Sequence, residues 1–287
     1  MAPYRGRFAP SPTGLLHIGS LVTALASWLD ARAHGGRWLI RMEDLDTPRC
    51  VPGAADSILR TLAACGLESD EPVMVQSGRH AAYLDALQQL EAAGRIYRCT
   101  CSRSDSPGAY SGHCRELRLQ APEAAWRLRL DEDSIHFHDA LQGDCRSSTA
   151  TLGDPVIFRR DGLAAYQLAV VVDDAAQGIT HVVRGADLLD STAWQIAIAN
   201  ALALPVPEYA HVPLVTEPDG TKLAKSRRSL PLDGRHLPTA VFEALCLLQQ
   251  QPPNELTTAP GRDILDWAVD NWRPARLAGV QTLRLRS

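Results

Sequence analysis

Two short stretches hold the residues best suited to handling phosphate. Lys222-Leu223-Ala224-Lys225-Ser226 contains the only two lysines of a 287-residue chain, against 27 arginines. Lysine is a compact charge on a flexible stem that can follow a moving phosphate, whereas arginine is a rigid planar fork. The preceding Glu217-Pro218-Asp219-Gly220-Thr221 reads as a turn, which puts both ammonium groups on an exposed loop. Far upstream, Arg7-Phe8-Ala9-Pro10-Ser11-Pro12-Thr13-Gly14-Leu15-Leu16-His17-Ile18-Gly19-Ser20 runs from an extended stretch through a Pro/Gly-rich turn into a helical pattern. The spacing of Leu21, Val22, Leu25, Trp28 and Leu29 predicts a helix over about Gly19 to Ala33 with one apolar face and a polar edge. Ser20 is its expected N-cap, so the positive helix end faces the His17-Ile18-Gly19 turn. An anion such as a triphosphate is stabilised there, and Gly19 has no side chain to obstruct it.

A third cluster could bind metal. Cys99-Thr100-Cys101 and Cys114 flank a short polar loop, and three thiolates this close can take three positions around tetrahedral zinc. His113 is the chemically ordinary fourth ligand, but it adjoins Cys114, and adjacent residues seldom share one metal comfortably. Tyr110 is the unusual alternative. Seven cysteines, an odd number, argue against a disulfide framework.

Pro10 to Ser20 resembles the HIGH signature of class I aminoacyl-tRNA synthetases, and Lys222 to Ser226 resembles their KMSKS loop. The two stand in the right order, about 200 residues apart. The wording Arg-Phe-Ala-Pro-Ser-Pro-Thr-Gly is similar to the glutamate and glutamine branch. Ser20 replaces the second His of the first signature and Ala224 replaces a Ser of the second. The resemblance implies that His17, Gly19, Lys222 and Lys225 serve catalysis, with His17, Gly19 and Lys225 on ATP, and Mg²⁺ arriving with the nucleotide. It also implies that Arg7, Ala9, Ser11, Glu43, Tyr166 and Arg184 bind L-glutamate. Two guanidinium groups, Arg7 and Arg184, fit a substrate with two carboxylates, and Glu43 would take its ammonium. Glutamine would leave part of that positive charge unpaired. The Cys-x-Cys followed by Tyr-x-x-x-Cys resembles the truncated members of the branch, which implies Cys99, Cys101, Tyr110 and Cys114 as ligands of one structural zinc.

The elements around these residues alternate as a doubly wound α/β fold would. Residues 1–94 read as strand, helix, strand (36–43), helix (about 52–64) and helix (79–93), the first half of a Rossmann-like parallel sheet. Residues 95–150 read as a zinc-bearing, acceptor-type insertion with short strands around Trp126–Leu130 and Ile135–His138. Residues 151–230 return to strand and helix, including Ile179–Val183 and a helix near 187–203, and end in the lysine loop. Residues 231–287 read as a short helical, stem-like region. No apolar run is long enough for a membrane span and no targeting segment precedes the first motif, so a cytoplasmic monomer is expected. Net charge of −4 excludes a uniformly basic nucleic-acid binder. Arg95 to Leu130, with seven arginines against Asp105, Glu116 and Glu123, is the candidate local RNA patch.

Only 61 residues follow Ser226, too few for an anticodon-reading domain. The chain therefore resembles the stand-alone truncated paralogues of the glutamyl branch. The resemblance implies ATP-dependent, tRNA-independent glutamate activation and transfer to the queuosine base of tRNA(Asp). Two other classes compete: a nucleotidyltransferase acting on a small molecule, and a silent paralogue that only binds RNA. The intact phosphate motifs disfavour the second, and the two-arginine pocket disfavours the first.

Overall fold

The computed structural model describes residues 3–102, 105, 108–217, 232 and 237–285. The first half consists of β1 (Arg5–Phe8), α1 (Ile18–Ala33), β2 (Arg37–Met42), α2 (Ala54–Ala64), β3 (Met74–Val75) and α3 (His80–Ala92). β4 (Ile96–Cys99), β5 (Ala125–Leu128), β6 (Ser134–Asp139), β7 (Gly143–Ser148), α4 (Thr149–Leu152) and β8 (Val156–Phe158) follow. The chain then forms α5 (Tyr166–Ala176), β9 (His181–Gly185), α6 (Leu189–Ala201), β10 (Glu208–Val212) and β11 (Leu214–Thr216), and closes with α7 (Leu237–Leu247), α8 (Gly261–Asp270) and β12 (Thr282–Arg284).

Parallel pairing joins β3 to β2 and β2 to β1, and separately β9 to β10 and β10 to β6. The two groups meet where the Thr180 N–H donates to the Arg5 carbonyl oxygen at 3.0 Å and the Arg5 N–H donates to the Thr180 hydroxyl at 2.8 Å. The carboxyl ends of β1 and β9 thus open on the same side, where ligands bind in open α/β sheets.

Two expectations change. α1 is not apolar on one face only: Leu21, Val22, Ala24, Leu25, Ala26, Leu29 and Ala31 are all buried, because β1, β2 and β9 pack on one side and α7 and α8 on the other. A helix covered on both sides needs no polar face. Strand pairing also crosses the expected boundary at residue 150. β8 completes the antiparallel sheet β4-β5-β8, whereas β6 leaves the insertion to pair with β10. Finally, the mainly helical residues 237–285 pack on the catalytic core. Trp272, Leu277 and Leu283 share the core of α1, the Trp272 indole N–H donates to Asp30 at 2.9 Å, and β12 pairs in parallel with β11. Among the described residues, no helix is long and apolar enough to cross a membrane.

Candidate active site and metal centre

A cavity of about 610 Å³ lies between the end of β1, the start of α1 and the end of β9. Arg7, Ala9, Ser11, His17, Gly19, Tyr166 and Arg184, all expected in the site, line it together. Glu43 does not; it is buried at the end of β2. Lys222 and Lys225 lie outside the described residues.

The N-cap of α1 is His17 and not Ser20. His17 has extended backbone angles (φ −120°, ψ 168°), and its Nδ1 accepts from the Ser20 N–H at 3.3 Å. Nδ1 is therefore the unprotonated nitrogen, and Nε2 carries the proton that contacts the Ser20 hydroxyl at 3.1 Å. An imidazole does here what a serine oxygen was expected to do, because Ser20 already lies inside the first turn. The helix end is suited to an anion in the cavity.

Arg7 and Arg184 are almost fully buried, with 3% and 4% exposure. Arg7 donates through Nε to Asp174 Oδ1 at 3.2 Å, and the same oxygen accepts from Arg41 Nη1 at 2.7 Å. Arg41, wholly buried within β2, also donates to Gln177 Oε1 at 2.9 Å and to Glu43 Oε1 at 3.3 Å. Burial alone would raise the Asp174 pKa, but the adjacent Arg41 and Arg7 charges hold it below the usual carboxylate range. Glu43 goes the other way: burial outweighs the same two arginines and raises its pKa. Arg184 donates through Nε to His211 Nε2 at 3.0 Å and through Nη2 to Thr192 Oγ1 at 2.8 Å. Its Nη1 is buried and has no partner among the described residues. Burial pushes the Tyr166 phenol at the start of α5 up to about 12, so it stands neutral in the wall.

Gly185 closes β9 beside Arg184. A Cβ there would meet Asp187 Oδ1 at 2.6 Å, so a larger residue would require the Asp187 side chain to move aside. Sequence reasoning assigned no role to Arg41, Asp139, Asp174, Thr192 or His211. The available signals were charged residues inside otherwise apolar stretches: Arg41 between Ile40 and Met42, and His211 between Ala210 and Val212.

The cysteine loop assembles as expected. The sulfurs of Cys99, Cys101 and Cys114 all lie within 4.8 Å of one another, with Cys101 and Cys114 at 3.5 Å. Tetrahedral zinc with bonds of about 2.3 Å separates its sulfurs by about 3.8 Å, so the cluster could hold such an ion. The Tyr110 oxygen lies 3.3 Å from Cys99 Sγ and 4.0 Å from Cys101 Sγ, and it accepts from the Cys114 N–H at 2.8 Å. Tyr110 is buried and His113 is exposed. The Arg127 guanidinium sits 3.8 Å over the Tyr110 ring, while burial and the hydrogen bonds with Cys114 and Cys99 push the phenol well above its ordinary pKa.

The arginine-rich segment is less available to RNA than its composition suggests. Arg115 pairs with Asp154 at 2.5 Å, Arg127 donates to the Asp154 carbonyl oxygen, and Arg95 and Arg129 both pair with Asp131. Arg98 caps the Ala121 carbonyl oxygen and stacks on Trp126 at 4.4 Å. Arg95, Arg115 and Arg129 are thus paired with acids, because Asp131 and Asp154 lie outside the segment in sequence but against it in space.

A family profile described as the catalytic domain of class I tRNA synthetases (E and Q) matches residues 4–106 and 109–257. The chain is 53% identical over 284 residues to the glutamyl-Q tRNA(Asp) synthetase of Ectopseudomonas mendocina, covering 98% of this chain and 97% of that protein. It is 52% identical over 278 residues to the protein of the same name from Thiobacillus denitrificans, covering 93% and 92%. In fold it is similar to the glutamate-tRNA synthetase of Elizabethkingia anophelis, with a TM-score of 0.83 at 24% identity, over 99% of this chain and 68% of that one.

Proposed function

Since the chain belongs to the class I (E and Q) tRNA synthetases, and among them to the glutamyl-Q tRNA(Asp) synthetases, we propose that it activates L-glutamate with ATP and transfers it to the queuosine base of tRNA(Asp). The observation that supports this most is the convergence on one cavity of the α1 N-terminus with two buried guanidinium groups, one of which keeps an unpartnered Nη1. The glutamate carboxylate attacks the ATP α-phosphorus in line, forming glutamyl-adenylate and releasing pyrophosphate. No protein nucleophile is required; the chain positions the reactants and offsets charge on the phosphates. The α1 N-terminus faces the phosphates, and Lys222 and Lys225, outside the described residues, are expected to offset their charge. Arg184 takes a substrate carboxylate, and Arg7 with Tyr166 completes the amino-acid wall.

Glutamate-dependent exchange of pyrophosphate into ATP, assayed without RNA, tests the activation step. Labelled glutamate is then offered to tRNA(Asp) with and without queuosine, to tRNA(Glu), and to queuosine-bearing tRNA(Asp) lacking its 3′-terminal adenosine. Label is expected on both queuosine-bearing RNAs and on neither of the others. Label on tRNA(Glu), or loss of label with the terminal adenosine, would return the activity to ordinary 3′-end charging.

For the metal centre we infer one structural zinc held by Cys99, Cys101, Cys114 and the Tyr110 oxygen. Zinc would draw the loop onto β4 and stabilise it as a folded unit. Metal analysis should find about one zinc per chain, lost in C99S, C101S or C114S. Full zinc content in Y110F would assign the fourth position to another group.

A further inference from the structure

Behind Arg184 lies a buried chain of groups that the activation chemistry does not itself require. Asp139, at the end of β6, is fully buried and accepts from the backbone N–H of Leu141 (3.0 Å), Gln142 (2.9 Å) and His211 (3.1 Å). Its other oxygen lies 2.5 Å from His211 Nδ1. A carboxylate satisfied in this way is acceptor only, so His211 must present its proton at Nδ1 and a lone pair at Nε2. That lone pair meets Arg184 Nε at 3.0 Å. Thr192 Oγ1, 3.1 Å from the same nitrogen, accepts from Arg184 Nη2. Two of the three guanidinium nitrogens are thereby consumed by neutral acceptors, and the third is left over.

The alternative ring state would reverse this. A proton on Nε2 would point at the Arg184 N–H, placing donor against donor and cation against cation. Arg184 would have to turn, and the orientation of Nη1 would be lost. The groups around His211 act on it in opposite senses: burial and the Arg184 and Arg7 charges disfavour the cation, while Asp139 favours it. Burial dominates, so the imidazole stays an acceptor.

We propose that Asp139 and His211, with Thr192, are positioning residues that set specificity for glutamate by holding Arg184 so that only Nη1 is free for a substrate carboxylate. This rests on the reading of Arg184 as a glutamate-binding residue. Glutamine offers Nη1 a neutral amide in place of a carboxylate and loses the charge-assisted part of the bond. A loosely held fork could re-aim itself to suit either side chain; a fork fixed at Nε and Nη2 cannot.

The test compares two replacements of His211 in glutamate-dependent pyrophosphate exchange by the full chain. H211N can keep a donor toward Asp139 but offers no acceptor to Arg184. H211Q can place an amide oxygen near the lost Nε2. H211N should raise the KM for glutamate on the order of tenfold or more, narrow the preference for glutamate over glutamine, and leave the KM for ATP within about twofold. H211Q should recover most of that loss. T192V, which removes one acceptor of the fork while keeping its shape, should shift the glutamate KM in the same direction and decides the matter if H211N does not fold. Unchanged glutamate KM in H211N or T192V, equal losses in H211N and H211Q, or a matching rise in the ATP KM would each overturn the proposal. If the wild-type chain shows no glutamate-dependent exchange, the glutamate reading fails first, a result distinct from all of these.

Discussion

Arg7 and Arg184 reach one cavity from the ends of two strands, yet they are held by opposite means. Arg7 shares the Asp174 carboxylate with Arg41, within a cluster of two arginines and two acids in which charge is balanced by charge. Arg184 is held by an imidazole nitrogen, a hydroxyl and the Leu188 carbonyl oxygen, all neutral, and forms no ion pair among the described residues. The difference divides the labour. A compensated cation is a rigid, nearly neutral wall, whereas a cation held by neutral acceptors keeps its field for the ligand. The cost appears at Arg184 itself, where burial lowers the guanidinium pKa, while the neighbouring Arg7 charge adds to that effect.

The largest effect should fall on the balanced side, and on stability. Replacing Arg41 by Met leaves Asp174 and Glu43 buried with Arg7 as their remaining cation, and breaking such a buried pair costs about 3–5 kcal/mol. Chemical denaturation should show this loss, and a stability close to that of the wild type would mean that the cluster is not the charge-balanced unit described.

Next in size is the effect on substrate choice. R184A should lower kcat/KM for glutamate roughly 10- to 150-fold, the range expected for one charge-assisted hydrogen bond of about 1.5–3 kcal/mol. R7A should narrow the preference for glutamate over glutamine by less, because Asp174 already offsets its charge. Equal narrowing in the two variants would remove the division of labour.

The smallest effect distinguishes two acids of one cluster by the sign of their pH dependence. Asp174 is depressed, so the stability it contributes is present above its unfolded value and is lost as pH falls through the lower, folded value. Glu43 is raised from its ordinary 4.5, so its ionisation works against the fold once pH rises past that point. The variant E43Q, measured without substrate, should therefore gain stability over the wild type as pH rises from about 4 to 7. A constant difference across that range would mean that Glu43 titrates as it does in the unfolded chain.

Much of the site was legible because its chemistry is local. A turn rich in Pro and Gly followed by a helix places His17 and Gly19 at a helix N-terminus that lines the cavity. The spacing of Cys99, Cys101, Tyr110 and Cys114 likewise confines four donors to one loop. The identity of the α1 cap was misjudged even at this range, because the helix begins at Ile18 and places Ser20 inside its first turn.

What the sequence by itself determined is the alternation of strands and helices, the turn that starts α1 at the cavity, and the clustering of Cys99, Cys101 and Cys114, since each follows from residues close together in the chain. Tertiary structure alone decided which charges are free. Asp174 meets Arg7 across 167 positions and Arg41 across 133, and Asp139 meets His211 across 72. The same holds for Arg95, Arg115 and Arg129, which read as part of a basic surface until Asp131 and Asp154 fold against them. Periodicity reports which face of an element is apolar, but the partner of a buried charge is chosen by packing between elements distant in the chain. At this site that choice leaves Arg184 Nη1 unpaired and Arg7 compensated.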